Sequence, residues 1–217
     1  YFVEGAETLQ VVHTIWASLA GWPEGIYTLL YDGEGDFAFS GNLVLLTKEN
    51  GKITFQFNKP VNDNGIFIIK IVRSDSANHV RNMRFLMPGS EFTYQNMPYY
   101  SEWFNRLKPF KVIRFMDWGR ANNWGHDNSW ECYDDDNDTI KVDWKNRAKY
   151  SNYTWATNKG VPYEVMIDLC NRLNADMWVC VPYIASNDYI TQLAELIKNQ
   201  LNPSLKVYVE YSNENWN

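Results

Sequence analysis

Excess positive charge is the first thing this chain lacks. Lys and Arg number 20 against 26 Asp and Glu, a net charge of −6 with a pI near 5.1. No Lys/Arg cluster offsets that balance, so a phosphate-tracking basic face is disfavoured and no nucleic-acid partner is expected. No apolar run approaches the roughly 20 residues that a bilayer-spanning helix needs, so no membrane span is expected either. Tyr1-Phe2-Val3-Glu4 has neither the basic start nor the long apolar segment of a secretory signal. Cysteine is scarce: Cys132, Cys170 and Cys180 are odd in number and lack metal-type spacing, which excludes a full disulfide framework. One bridge plus a free thiol stays open, and Cys180, inside an apolar run, reads as a small buried hydrophobe. His13, His79 and His126 are scattered and form no metal set. A GxSxG elbow, a P-loop and an HExxH helix are all missing. No metal and no cofactor are expected.

Aromatics, by contrast, are abundant. They make up 16% of the residues, with 10 Trp and 14 Tyr. Each indole N–H wants a partner when buried, so so many Trp suit either a large aromatic core or a surface that stacks on sugar rings.

The first third alternates short β-branched and aromatic runs with Gly/Asn turns. Strands are predicted at Thr8–Trp16, Ile26–Tyr31, Asp36–Leu46, Lys52–Phe57 and Ile66–Val72. That rhythm predicts an antiparallel β-sandwich over residues 1–80. Trp16 and Trp22 are either ligand platforms of a carbohydrate-binding module or core residues. Beyond residue 80 the pattern changes. Apolar runs at Met83–Met87, Val112–Met116, Met177–Val181 and Val207–Tyr211 alternate with helical stretches at Tyr99–Leu107, Pro162–Leu173 and Asp188–Leu201. In the last helix Ile190, Leu193, Ala194 and Ile197 form the predicted apolar stripe, and Asn187 or Asp188 the cap. Strand–helix–strand alternation predicts parallel strands joined by right-handed crossovers, so 81–217 is expected to form four β/α units. Residues 117–159 form a long aromatic-rich insertion, of a length that is usually functional or disordered.

In parallel α/β architectures chemistry gathers at the carboxyl ends of strands. Four such ends carry polar groups: Gly89-Ser90-Glu91, Asp117-Trp118-Gly119-Arg120, Pro182-Tyr183 and Ser212-Asn213-Glu214. Arg114 sits inside an apolar strand, where a charge is costly unless paired. It serves either a structural ion pair or the orientation of a catalytic carboxylate. Glu214 is the candidate acid, because a partly desolvated carboxyl at a strand tip shifts toward proton-donor range. Glu210, four residues earlier, falls on the same face under regular alternation. It reads as a structural partner, with Arg114 as one candidate for its mate.

These residues carry a resemblance. The ending "VYVEYSNENWN" resembles the fourth-strand motif of clan A glycoside hydrolases, in which an Asn-Glu pair closes that strand. "KVIRFMDW" looks like the second strand of the same cellulase-like (β/α)₈ barrel, "MRFLMPG" like the first and "MWVCVPY" like the third. The resemblance implies the first four β/α units of a TIM-type barrel behind a small β-domain. It implies Glu214 as general acid/base, Asn213 on the sugar 2-hydroxyl and Arg114 supporting the carboxylates. Trp118, Asn122, Asn123, Trp124, Tyr183 and Trp216 are expected to contact the glycan. Tyr183 departs from the His common at that position. A complete barrel takes roughly 250 residues, and a retaining mechanism needs two carboxyls about 5–5.5 Å apart. The nucleophile is therefore expected outside this segment, with the rest of the polypeptide or another chain completing the barrel.

The expected function is that of a segment of a retaining glycoside hydrolase acting on β-linked polysaccharide, extracellular or at the cell surface. The alternative is a non-catalytic extracellular protein that binds glycan or assembles while keeping a glycosidase-like fold. Asn137-Asp138-Thr139 and Asn152-Tyr153-Thr154 are N-glycosylation sequons, which makes Asn137 and Asn152 candidate acceptors. The acidic run Asp134–Asp138 fails the EF-hand template and reads as a solvated loop, with an irregular calcium site as the alternative.

Overall fold

A computed structural model describes residues 12–17, 21–59, 66–121, 142–152, 154–157 and 159–213, the side chains of 15–17 excepted. Among the described residues there are ten strands in three sheets and three α-helices. The chain divides into two compact units, Tyr1–Phe104 and Asn105–Asn217.

The first unit consists of two antiparallel sheets. One has the order β1 (Val12–Ala17), β6 (Ile66–Ser74), β3 (Gly35–Gly41). The other has the order β4 (Leu43–Glu49), β5 (Lys52–Phe57), β2 (Gly25–Asp32), β7 (Arg81–Leu86). Their shared core follows from period-2 alternation. On β5, Ile53, Phe55 and Phe57 are buried while Lys52, Thr54 and Gln56 are less so. Ile53 and Phe55 cluster with Leu29 and Tyr31 of β2, Phe37 of β3 and Ile69 of β6, and Phe57 clusters with Tyr27 and Phe67. Trp22 packs edge-on against Phe67 at 5.7 Å, so it belongs to this core rather than to a platform. The side chain of Trp16 lies outside the described residues.

The predicted single strand Asp36–Leu46 is two strands. The chain leaves β3 at Gly41, whose φ of +92° and 2.0 Å clearance between a would-be Cβ and the Ile66 carbonyl oxygen admit only glycine. Asn42 then ties the corner to Ile66 through N–H to O at 3.1 Å and through Oδ1 accepting at 3.2 Å. β4 continues in the other sheet.

The expected run of four β/α units is overturned. The presumed first parallel strand, β7, pairs antiparallel with β2, Leu29 facing Phe85 and Leu30 facing Arg84. The cause is visible on its two faces. Phe85 stacks on Tyr27 at 5.3 Å and lies 5.6 Å from Phe67. On the opposite face Arg84 reaches Asp32 at 3.5 Å. The described residues thus form a mostly β structure with one parallel sheet of three strands.

That sheet, in the second unit, has the order β10 (Val207–Tyr211), β9 (Asp176–Val181), β8 (Val112–Arg114). Helix α1 (Ser101–Leu107) precedes β8 and crosses the division between units. Helix α2 (Tyr163–Leu173) precedes β9 and buries Val165, Met166, Leu169 and Cys170. Helix α3 (Asn187–Gln200) connects β9 to β10. Its cap is Ser186, whose Oγ accepts from the Tyr189 N–H, and its buried stripe is Tyr189, Leu193 and Ile197. The cap thus precedes both predicted residues, Asn187 and Asp188, and of the predicted stripe Ile190, 43% exposed, and Ala194 face solvent while Leu193 and Ile197 are buried. Cys170 and Cys180 are free, buried thiols, while Cys132 lies outside the described residues.

Phe85→Ala tests the placement of β7. It should destabilise the first unit by roughly 2 kcal/mol, below the ~3–5 kcal/mol of a fully buried Phe. Hydrogen exchange should show the lost protection in β2 and β5. Loss in β9 instead would return β7 to the parallel sheet.

Candidate functional site

The parallel sheet places a charged cluster on one of its faces. Alternation on β9 sends Met177, Val179 and Val181 to one side and Trp178 and Cys180 to the other. Arg114 lies beside Trp178 in the register, and Glu210 beside Cys180, so a side chain from each outer strand meets above the central one. The Arg114 guanidinium donates through Nε to Glu210 Oε2 at 3.1 Å and through Nη2 to both carboxylate oxygens at 2.9 Å. It also lies 5.0 Å from the Trp178 ring. Trp178 Nε1–H donates to the same carboxylate at 2.9 Å and the Cys180 thiol at 3.3 Å. Trp178 and Cys180 were not singled out as site residues from sequence, although the alternation that places them was readable.

Electrostatics follow from this geometry. Burial works to raise the Glu210 pKa, but the hydrogen bonds from Arg114, Cys180 and Trp178 outweigh it and hold the carboxyl below the usual carboxylate range. The Cys180 thiol is pushed up to about 12, first by burial and then by its bond to Glu210 and that group's charge. Glu210 is therefore an ionised, fully engaged structural carboxylate, and Cys180 is a protonated donor rather than a nucleophile.

Asn213 joins the cluster through a break in the strand. Regular alternation would put it on the face opposite Glu210. Ser212 instead adopts φ +61°, and its N–H donates to the Val181 carbonyl oxygen at 2.7 Å. The left-handed residue turns the chain, and Asn213, only 3% exposed, accepts from Arg114 Nη2 at 2.7 Å. Simple alternation therefore cannot be extended past Tyr211, and the argument that set Glu210 and Glu214 on one face does not hold. Glu214 and Trp216 lie outside the described residues, as do Asn122, Asn123, Trp124 and Asn137.

After β8 the backbone is strained, with Met116 at φ +34° and Arg120 at φ +53° on either side of Asp117. One Asp117 oxygen is buried without a hydrogen-bond partner, and its charge helps to raise the Cys180 pKa. Trp118 is partly buried against Phe115 at 5.3 Å. Its carbonyl accepts from Val161 N–H at 2.8 Å and sits so close to Gly160, φ +71°, that a Cβ there would lie 2.1 Å away. Tyr183 is 39% exposed and its carbonyl accepts from the Tyr211 hydroxyl at 2.8 Å. Glu91 belongs to the first unit, where it pairs with Lys52 and accepts from Thr28 at 3.4 Å.

Part of the aromatic insertion is structural. Trp144 stacks on Tyr163 at 6.3 Å and meets Tyr189 edge-on at 5.3 Å. Arg147 lies 4.1 Å from the Trp144 ring and pairs with Glu164 at 2.6 Å. Burial raises Tyr163 well above its ordinary pKa, so it stays a neutral packing and hydrogen-bonding group. No cluster of three or more His, Cys, Asp or Glu able to hold a metal occurs among the described residues. No described helix is long and apolar enough to cross a membrane.

No family model, no curated protein and no solved structure matches this chain.

The depressed Glu210 pKa has a definite sign in stability. Its contribution is complete above the ordinary carboxylate pKa of about 4.3 and is lost as pH falls through the lower folded value. Glu210→Gln should therefore lower stability at pH 7 and flatten the acid limb of the stability–pH curve. Urea unfolding from pH 3 to 7 checks this, and a parallel downward shift at every pH would contradict it.

Proposed function

We propose that the chain is a segment of a retaining glycoside hydrolase that acts on β-linked polysaccharide outside the cell or at its surface. Glu214 is the acid/base of this reading. It gives its proton to the departing glycosidic oxygen, and afterwards takes one from the water that releases the sugar. Asn213 holds the sugar 2-hydroxyl. The nucleophilic carboxylate is assigned to sequence outside residues 1–217, because the oxygens of Glu210 are already taken by Arg114, Trp178 and Cys180.

The observation that supports this reading most is the seating of Asn213. Arg114 donates to Oδ1, which orients the carboxamide, and in this reading the amide donates to the sugar hydroxyl. Preorganised donors of this kind cost no reorganisation when the substrate arrives. The residue that follows in sequence is Glu214, so an amide donor and a carboxylic acid are neighbours in the chain.

The second reading is a non-catalytic glycan-binding or assembly protein. It draws on the engagement of the described carboxylate: Glu210 serves the fold and has no proton to give.

In the full-length protein, Glu214→Gln should cut polysaccharide turnover at least ~100-fold, the scale of a lost general acid. The loss should shrink for the glycosylation half-reaction of an aryl glycoside whose leaving group needs no proton. Calorimetry on the same variant should show retained glycan binding. Undiminished hydrolysis by the Gln variant would refute the assignment, and binding without hydrolysis in the wild type would favour the second reading.

A further inference from the structure

The proposed hydrolysis leaves the sequon Asn152-Tyr153-Thr154 unused. Asn152 is exposed and ends a tight turn. Its N–H donates to the Lys149 carbonyl at 2.9 Å, and its Oδ1 accepts from the Lys149 N–H at 2.6 Å. These two bonds hold the carboxamide by its oxygen, and Nδ2 is engaged by no described residue. Two positions earlier Tyr150 is 66% exposed. One side of its ring meets Trp155, with centroids 5.6 Å apart and planes at 54°. An exposed aromatic of this size offers a large apolar face for a partner that is apolar on one side and wet on the other. A pyranose has that character, with C–H groups on a face and hydroxyls around its rim.

We propose that Asn152 is an N-glycosylation site whose first sugar lies against Tyr150. The donor is a lipid pyrophosphate-linked oligosaccharide. The bond between sugar C1 and the pyrophosphate oxygen breaks, a C1–Nδ2 bond forms, Nδ2 gives up one proton, and the lipid pyrophosphate departs with the electron pair. No oxidation state changes. The threonine that the sequon requires is Thr154, whose Oγ1 accepts from the Ala156 N–H at 3.1 Å and closes the next turn. The site is separate from the Arg114 cluster and needs only passage through a secretory compartment. It rests on the proposed export and not on hydrolysis.

The test imposes export. Residues 1–217 are produced behind a cleavable leader in a eukaryotic secretory host. Both the secreted and the retained translocated pools are mapped by peptide mass spectrometry, after enzymatic glycan release in heavy-oxygen water marks each former glycan-bearing Asn. The expected result is a marked Asn152 in most molecules, lost in Asn152→Gln and in Thr154→Ala. Unmodified Asn152 in both pools, or a mark that survives Thr154→Ala, overturns the site. Removing the glycan should lower the wild-type melting temperature by roughly 2 °C and leave that of Tyr150→Ala unchanged. Equal drops in the two proteins overturn the stacking. The melting transition itself shows whether each variant folds. Because no hydrolysis is measured, failure here does not bear on Glu214, and failure of Glu214→Gln does not bear on Asn152.

Discussion

The guanidinium of Arg114 ties the three parallel strands together above their central member. Strand β8 has three residues, so its backbone ladder with β9 is short. Arg114 extends that strand's reach by crossing the Trp178 ring and grasping Glu210 and Asn213 on or just beyond β10. The pair is partly exposed, 37% for the Arg114 side chain and 28% for Glu210, and exposed ion pairs typically contribute only ~0–1 kcal/mol. The importance of this contact therefore lies in orientation more than in energy. A planar fork with several donors fixes where a carboxylate and an amide point, and a Lys at the same position would not.

That constraint explains why Glu210 and Asn213 play different parts three residues apart. Glu210 faces the cluster by the ordinary alternation of β10. Asn213 reaches the same face because Ser212 takes a left-handed conformation, which costs a non-glycine residue roughly 1–2 kcal/mol. Two bonds offset that cost: Ser212 N–H to Val181 and Arg114 Nη2 to Asn213. Backbone strain also flanks Asp117 at the end of β8. Strained residues thus mark the carboxyl ends of both outer strands, where a parallel sheet carries its chemistry.

The elements were more legible in the sequence than their pairing. Ile53, Phe55 and Phe57 announce β5 by alternation, and α2 by its spacing of Val165, Leu169 and Cys170. Alternation is silent about strand direction, however. Met83–Met87 followed by a helical stretch looks like a β/α unit, and only the contacts of Phe85 with Tyr27 and Phe67 turn it antiparallel. The division at Gly41 was hidden because the residues on both sides suit a strand. The α3 cap was misplaced because Asn187 and Asp188 are good caps in isolation, and Ser186 wins by aiming its hydroxyl at the Tyr189 N–H. Arg114 was noticeable as a charge in an apolar run. Its grip on Asn213 was not, since no local pattern forecasts the left-handed turn at Ser212.

The central claim is that Arg114 holds the tip of β10 in place. A double-mutant cycle with Arg114→Ala and Asn213→Ala measures this directly, read as the opening free energy from hydrogen exchange at the Ser212 amide. The account predicts a coupling of about 1 kcal/mol, within the ~0.5–3 kcal/mol of residues in one hydrogen-bond network. Single effects that add to within about 0.3 kcal/mol would contradict it.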